Sequence, residues 1–253
     1  MASLNGHHAV VTGGGRGIGR AIAAALTEAG AAVTVLGRNE ATLAEAVCQR
    51  HARGYVVADV TDRDAVQDGL RRAAAERGPI AILVANAGGV ESAPFAKSSP
   101  DVFRRMFELN VIGVVHAAQA AVADMVARRF GRIVAVASTA GLRGYPYVSA
   151  YCAAKHALVG LVRALAQELA KSGITVNAVC PGYTDTDLVD ESIAEISTKT
   201  GRPREAVLSE ILSHMPVGRL ITPQEVAAAV LFLCSAEAAA VTGTALAISG
   251  GEI

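Results

Sequence analysis

The chain has 253 residues, of which 52% are hydrophobic, 18% charged and 4% aromatic. A chain this long and this apolar can bury one large core, so intrinsic disorder is excluded as its main state. Its 23 basic and 23 acidic side chains cancel to a formal net charge of zero. This balance disfavours nucleic acids and anionic membranes as partners, since binders of both normally carry a basic excess.

The cysteines and histidines give no sign of a disulfide framework or a metal site. The four cysteines are widely spaced, and the six histidines are scattered without the spacing of metal ligands. The N-terminus lacks a basic region followed by a long apolar stretch, and no segment reaches about 18 uninterrupted apolar residues. These features predict a cytoplasmic protein with no metal and no membrane span.

Short β-branched apolar runs alternate with longer Ala-rich segments of helical period, which is typical of repeated βαβ units. The predicted strands are His8–Thr12, Ala32–Leu36, Gly54–Ala58, Ile80–Ala85, Gly131–Ala137, Thr175–Val179 and Ala245–Ser249. The predicted helices are Gly17–Ala29, Glu40–Arg50, Asp62–Glu76, Pro100–Arg128, Ser149–Lys171 and Pro223–Ser235. Caps are expected at Thr61 or Asp62 for the third, at Ser99 before Pro100 for the fourth and at Thr222 for the last. Because the strands are nearly continuous in apolar residues, we expect an α/β fold with a doubly wound, seven-stranded parallel sheet and helices on both faces.

Residues 183–220 interrupt this alternation and are more polar than their surroundings. Loops this long in compact domains are usually lids or binding segments, so a substrate lid is expected here. The alternative is an additional helical subdomain with no contact to a ligand. No repeat, linker or low-complexity segment marks a second domain, so residues 1–253 are expected to form one domain.

A glycine-rich turn, Thr12 to Gly19, follows the first predicted strand directly and opens the first predicted helix. A turn that brings backbone N–H groups against a pyrophosphate needs residues without a Cβ, and the helix N-terminus adds the positive end of a dipole. The position of this turn in a βαβ unit favours dinucleotide binding over an ordinary tight turn. The residues expected to contact the cofactor here are Gly13, Arg16, Gly17, Ile18 and Gly19.

The end of the second predicted strand indicates which dinucleotide is bound. Enzymes that select NAD usually carry an acid here for the ribose 2′-hydroxyl, whereas this chain has Gly37 followed by Arg38. Arg38 can pair with a 2′-phosphate, and Arg16 can approach the same group from the other side. The sequence therefore favours NADP(H) over NAD(H). The alternative is that either arginine is a solvated surface charge.

Three side chains of complementary chemistry follow at fixed intervals. Twelve residues separate Ser138 from Tyr151, and three separate Tyr151 from Lys155. Tyr151 and Lys155 therefore share one face of a predicted helix. Hydride transfer to a ketone leaves an alkoxide that needs a proton, and a tyrosine with its ordinary pKa of about 10 is a poor base for the reverse step. We expect the Lys155 ammonium to lower the pKa of Tyr151 and Ser138 to bond the substrate oxygen.

The patterns Thr-Gly-x3-Gly-Ile-Gly at Thr12 and Ser-x12-Tyr-x3-Lys at Ser138 resemble those of the short-chain dehydrogenase/reductase family. The resemblance covers nearly the whole chain and implies a Rossmann fold, an oxidoreductase acting on CH–OH groups and a homotetramer. It also implies that Asn110 is a fourth catalytic residue, which holds a water between Lys155 and solvent. Further cofactor contacts that the resemblance implies are Asp59, Val60, Asn86, Ala87, Gly88, Pro181, Gly182, Thr184 and Thr186, together with Tyr151 and Lys155.

The expected activity is NADP(H)-dependent interconversion of a small-molecule ketone and a secondary alcohol, as in 3-oxoacyl or polyketide ketoreductases. NAD-dependent dehydrogenases of the 3-hydroxybutyrate type are not separated from these by the sequence. The alternatives of other classes are a catalytically silent NADP(H)-binding regulatory protein and a SAM-dependent methyltransferase, against which the intact catalytic set argues. The segment 142–147 should line the substrate pocket, where Arg143 either recognises a carboxylate or CoA phosphate or is a surface charge.

Overall fold

The computed structural model describes residues 3–253, and its elements follow the predicted order. The strands are β1 (His8–Thr12), β2 (Ala32–Gly37), β3 (Gly54–Val57), β4 (Ile80–Ala85), β5 (Gly131–Val136), β6 (Ile174–Pro181) and β7 (Ala245–Ile248). The helices are α1 (Gly17–Glu28), α2 (Glu40–Cys48), α3 (Arg63–Arg77), α4 (Pro100–Phe107), α5 (Gly113–Arg128), α6 (Ser149–Leu169), α7 (Asp187–Thr200), α8 (Arg204–Ser213) and α9 (Pro223–Cys234).

All seven strands form one parallel sheet in the order β3-β2-β1-β4-β5-β6-β7. The predicted fold class, a doubly wound parallel sheet, is therefore confirmed. The chain winds outward from β1 to β3 and then returns to place β4 on the other side of β1. Such a switch point opens a crevice at the carboxyl ends of β1 and β4, which is where ligands bind in sheets of this kind.

Both faces of the sheet are covered, which explains why the central strands lack polar alternation. On one face, Ala117, Ala121 and Met125 of α5 are buried in a core that also takes residues of α3 and α6. On the other face, Ile22 and Leu26 of α1 pack with residues of α9. The two layers of helices fix the sheet as a rigid support for the loops at its carboxyl edge.

The predicted continuous helix over residues 100–128 is interrupted in the structure. A π-helical turn at Glu108–Ile112 separates α4 from α5. The run Pro100–Arg128 is long and apolar enough to span a membrane by length and composition, with a mean hydropathy of 1.5 in an 18-residue window. Its α5 part packs through alanines against the sheet, so its apolar residues serve the core.

Residues 183–220 contain α7 and α8 and a short cluster of buried side chains of their own. Ile193, Val207 and Ile211 form this cluster, and Tyr183 packs against it. The segment is thus largely helical. An isolated bridge between Thr184 and Ile221 joins its two ends beside β6, which brings the segment over the carboxyl edge of the sheet.

Helix caps that the sequence suggested are found at two of three positions. The Asp62 side chain accepts a hydrogen bond from the N–H of Ala65, and Thr222 forms a capping box with Glu225. Pro100 occupies the first turn of α4 as expected, but Ser99 makes no side-chain cap there. The prediction of a Ser99 cap was therefore wrong, and the fixed φ of Pro100 starts this helix without it.

Candidate active site

The glycine turn between β1 and α1 is packed so closely that side chains are excluded from it. A Cβ at Gly19 would collide with the carbonyl oxygen of Gly13, and one at Gly14 would collide with Val35. Gly13 has a φ of +65°, in the left-handed region that favours glycine. Arg16, the N-cap of α1, makes no side-chain cap, which leaves backbone N–H groups at the helix start for an anion. This cradle fits the pyrophosphate of a dinucleotide.

The end of β4 is tied to this turn by Asn86. Its amide Nδ2 donates to the carbonyl oxygens of Thr12 at 3.0 Å and Gly13 at 3.2 Å. The Thr12 hydroxyl oxygen accepts in return from the backbone N–H groups of Asn86 and Ala87, each at 3.0 Å. Three predicted cofactor residues, Gly13, Asn86 and Ala87, are thereby held together at the switch point between β1 and β4.

Arg38 and Asp59 lie together at the carboxyl ends of β2 and β3. Arg38 Nη1 is 3.7 Å from Asp59 Oδ2, and the Arg38 side chain is 77% exposed. Burial raises the pKa of Asp59, but hydrogen bonds from Thr61 and the Arg38 charge offset this and hold the pKa below its usual value. The ionised Asp59 therefore orients an accessible guanidinium at the position expected for a 2′-phosphate.

Arg16 has a different environment from the one the sequence suggested. Its Nη1 lies 3.2 Å from Glu191 Oε1 and 3.9 Å from Asp187 Oδ2, both on α7. The guanidinium thus joins the glycine turn to the helical segment over the crevice, because two acids of α7 attract it there. Arg38 contacts neither of these acids.

The turn after β6 closes the crevice from the other side. The Thr184 hydroxyl donates to the carbonyl oxygen of Gly182 at 3.0 Å, and the Thr186 hydroxyl donates to that of Thr184 at 3.2 Å. A Cβ at Gly17 would lie 3.3 Å from Cγ2 of Thr186. The turn after Pro181 and the glycine turn therefore lie side by side at the carboxyl edge of the sheet.

Ser138, Tyr151 and Lys155 are brought together between the end of β5 and the start of α6. The Ser138 Oγ accepts from the N–H of Ala140 at 3.1 Å. The Lys155 ammonium lies 5.6 Å from the centre of the Tyr151 ring and donates to the carbonyl oxygen of Val136 at 3.0 Å. Helical spacing places the tyrosine and the lysine one turn apart on the same face, as predicted.

The ionisation of this cluster is set mainly by burial. Burial raises the pKa of Tyr151 to about 12, and a hydrogen bond with Ser138 lowers it in part. Burial lowers the pKa of Lys155 to about 8. In this structure the pKa of Tyr151 lies above its ordinary value, in contrast to the expected lowering by Lys155, because desolvation of the phenol outweighs the hydrogen bond with Ser138.

Asn110 lies in the π-helical turn and is fully buried. Its Nδ2 donates to the carbonyl oxygens of Gly89 and Met106, each at 3.0 Å. The Met106 carbonyl is the one that the N–H of residue 110 would take in an α-helix, so the side chain replaces a backbone bond at the bend. A Cβ at Gly88 would lie 2.7 Å from Asn110 Oδ1 and 3.5 Å from Lys155 Nζ. The predicted fourth residue therefore lies beside the lysine, with Gly88 between them.

The predicted substrate loop, residues 142–147, contacts a residue that the sequence analysis passed over. Tyr145 Oη lies 2.6 Å from Glu252 Oε1, and Arg143 Nη1 is 3.4 Å from the Glu252 carbonyl oxygen. The Arg143 guanidinium stacks on the Tyr145 ring, 4.8 Å from its centre. The sequence feature that could have indicated a role for Glu252 is the preceding pair Gly250-Gly251, since two glycines allow the chain to turn back sharply toward the site.

The described residues, 3–253, contain no group of three or more His, Cys, Asp or Glu side chains that could hold a metal ion. The site is instead built from a backbone cradle, one exposed guanidinium and a cluster in which Ser138 and Tyr151 are partly exposed and Lys155 is buried. This combination suits a dinucleotide cofactor and proton transfer to a substrate oxygen.

Comparison with known proteins decides the family. A family model described as short chain dehydrogenase matches residues 7–197. This chain belongs to the short-chain dehydrogenase family. The membership and the enzyme class predicted from the motifs are thereby confirmed, and the protein is an oxidoreductase of this family.

Individual relatives of this short-chain dehydrogenase match it over nearly its full length. An acetoacetyl-CoA reductase of Rhizobium meliloti is 39% identical over 244 residues, 96% of this chain and 97% of the relative. A D-beta-hydroxybutyrate dehydrogenase of Cupriavidus necator is 36% identical over 255 residues, 99% of each protein. A crystal structure of a variant actinorhodin polyketide ketoreductase with NADPH has a TM-score of 0.94 and 34% identity, covering 100% of this chain and 99% of that one.

Proposed function

We propose that this short-chain dehydrogenase is an NADP(H)-dependent reductase that interconverts a ketone and a secondary alcohol, acting on a small-molecule substrate. The observation that carries the proposal is the cluster of the partly exposed Ser138 and Tyr151 with the buried Lys155, beside the glycine cradle. The NADPH in the similar ketoreductase structure and the reductase names of relatives support the direction and the cofactor.

Different residues of this chain bind different parts of the cofactor. The glycine turn holds the pyrophosphate, and Arg38 pairs with the 2′-phosphate. Lys155 bonds the nicotinamide ribose, and the turn at Thr184 and Thr186 holds the carboxamide. When bound there, the reduced nicotinamide supplies a hydride to the substrate carbonyl carbon.

Tyr151 gives the proton that completes the reduction. A pKa of about 12 keeps its phenol protonated at neutral pH, which is the form that donates to an alkoxide. Ser138 donates a hydrogen bond to the same oxygen and stabilises the charge as it develops. Lys155 stabilises the phenolate that remains, and Asn110 supports the route by which the proton is replaced.

The catalytic assignment is tested by replacing Tyr151 with Phe. NADPH oxidation is followed with methyl acetoacetate and with acetoacetyl-CoA as ketones. Loss of the proton donor should reduce turnover by about 10²–10⁴-fold in a protein that still binds NADPH. Tyr55→Phe is the matched control, since this tyrosine is 37% exposed and lies on β3, away from Ser138, Tyr151 and the substrate loop. If the wild type reduces a ketone and Tyr151→Phe is equally active, the assignment is overturned. If neither protein reduces a ketone at a measurable rate, the silent binding protein is favoured.

Cofactor preference is tested by titration with NADPH and NADH. Arg38 should give NADPH an advantage of at least tenfold, about 1.4 kcal/mol, and Arg38→Ala should remove it. Arg53→Ala, at another exposed arginine, serves as control. Equal or tighter binding of NADH by the wild type would favour the second candidate, an NAD-dependent dehydrogenase of the 3-hydroxybutyrate type, which the Cupriavidus relative supports.

The proposal also includes the cellular location and the oligomeric state of the protein. We place the protein in the cytoplasm, where the free thiols of all four cysteines stay reduced. We infer a homotetramer, supported by the exposed apolar side chains Phe107 and Val126 on α4 and α5. Sedimentation should show four copies, and a stable, active monomer would exclude the tetramer.

A further inference from the structure

The last residues of the chain turn back onto the carboxyl edge of the sheet. Gly250 and Gly251 have φ values of +60° and +88°, which allow the sharp reversal after β7. The N–H of Val217 donates to the carbonyl oxygen of Gly250 at 3.0 Å and anchors the turn. The turn places Glu252 so close to Gly182 that a Cβ at Gly182 would lie 3.1 Å from Oε2 of the glutamate.

The two oxygens of the Glu252 carboxylate have different environments. Oε1 is 2.6 Å from Tyr145 Oη, and Tyr145 Oη is also 2.8 Å from Thr139 Oγ1. A phenol has one hydrogen, and the short contact to a carboxylate takes it. Thr139 therefore donates to Tyr145, and Tyr145 donates to Glu252. Oε2 is buried and has no hydrogen-bond partner among residues 3–253, so Tyr145 is the only side chain in this range that hydrogen-bonds this carboxylate.

We propose that Glu252 is a positioning residue for substrate binding, acting by fixing Tyr145 and with it the substrate loop. The proposal rests on the proposed reductase function. Tyr145 connects two parts of the site, because its hydroxyl is bonded to Thr139, the neighbour of Ser138, and its ring carries the Arg143 guanidinium. Backbone bonds hold the two ends of the loop, from the N–H of Arg143 to Thr139 at 3.0 Å and from the N–H of Ala93 to Tyr147 at 2.8 Å. Between them the residues Arg143, Gly144 and Pro146 are exposed, so the carboxylate is the main side-chain anchor of the loop's middle.

The effect should fall on substrate binding more than on the chemical step. Ser138 is held independently of Glu252, by the N–H of Ala140 at 3.1 Å and by its place directly after β5. Tyr151 and Lys155 lie on α6, and neither side chain hydrogen-bonds residues 249–253. Loss of an interaction that binds ground state and transition state equally raises KM and leaves kcat nearly unchanged.

Hydrogen exchange tests the positioning without requiring a substrate. Peptides that cover residues 138–148 should exchange at least threefold faster in Glu252→Ala and in Tyr145→Phe than in the wild type. Glu252→Gln keeps an oxygen that accepts from Tyr145 and should exchange at the wild-type rate. Unchanged exchange in Glu252→Ala would overturn the proposal, even if the wild-type protein reduced no ketone at all.

Kinetics with NADPH and methyl acetoacetate test the consequence. Glu252→Ala should raise KM about tenfold, with kcat within about threefold of wild type, and Glu252→Gln should restore KM. The double variant Glu252→Ala/Tyr145→Phe should resemble either single variant, because both remove the same bond. Glu28→Ala, at an exposed glutamate of α1, is the control. An unchanged KM in Glu252→Ala, or additive losses in the double variant, would contradict the proposal. A wild type inactive on every ketone would instead refute the reductase function.

Discussion

We expect the buried Lys155 to lower the free energy of unfolding of the protein, and its replacement by methionine to raise it. The side chain is 4% exposed, and its ammonium has a single hydrogen bond, to the carbonyl oxygen of Val136. Burial lowers its pKa from 10.5 to about 8, and no carboxylate among the described residues offsets this. The shift corresponds to about 3 kcal/mol lost when the charged side chain enters the fold.

Methionine has a similar length, no charge and adaptable packing. Replacement by methionine removes the hydrogen bond to the Val136 carbonyl oxygen, which lowers the free energy of unfolding by about 1 kcal/mol. The net expectation for Lys155→Met is a gain of about 2 kcal/mol in the free energy of unfolding at pH 7. The same variant should lose ketone reduction, because the lysine stabilises the phenolate of Tyr151.

The stability gained in Lys155→Met relative to the wild type should fall as the pH rises. The pKa of Lys155 in the folded protein, about 8, lies below the unfolded value of 10.5, so the unfolded chain binds more protons between these two pH values. Wild-type stability relative to the variant therefore rises with pH through this window. Below pH 8 the full penalty is present, and above pH 10.5 it is gone. The advantage of Lys155→Met should vanish by pH 10.5.

The test is urea unfolding at pH 7 and pH 10.5, which gives the free energy of unfolding of the wild type, Lys155→Met and Lys171→Met. Lys171 is exposed, so its replacement is a matched control that should change stability little at either pH. A Lys155→Met protein less stable than the wild type at pH 7 would refute the reasoning, and so would an advantage of equal size at both pH values.

Three further outcomes are expected. The kcat/KM for ketone reduction should fall above about pH 8 as Lys155 loses its proton, and a pH–rate profile flat to pH 10 would contradict this. Gly19→Ala should weaken NADPH binding at least tenfold in a titration, whereas Gly160→Ala, where the added methyl meets open space, should leave binding unchanged. Thr222→Ala should lower the free energy of unfolding by about 1 kcal/mol through loss of the capping box, which urea unfolding would measure.

The fold was predictable because its signals are local. β4, Ile80–Ala85, has the predicted bounds, and its continuous apolar run is what a strand covered on both faces requires. The spacing of Tyr151 and Lys155 likewise fixes their common face from helical geometry alone. Helix starts with a complete capping motif, as at Thr222, were also readable, whereas Ser99 shows that a capping residue type need not form the bond.

The features that were missed depend on contacts between distant residues. The π-helical turn at Asn110 follows from bonds to Gly89 as well as within the helix, and hydrophobic periodicity does not register it. Arg16 pairs with Glu191, 175 positions away, which no local pattern indicates. The pKa of Tyr151 is governed by burial, which only the packed structure reveals.

The central claim is that the cluster around Tyr151 donates a proton while hydride passes from NADPH to a ketone. The most direct test uses NADPH with deuterium at both C4 positions and determines the mass of the alcohol formed from methyl acetoacetate or acetoacetyl-CoA. The wild type should give an alcohol that carries one deuterium, and Tyr151→Phe should give almost none. A wild-type protein that binds NADPH but transfers no deuterium to either ketone would contradict the account.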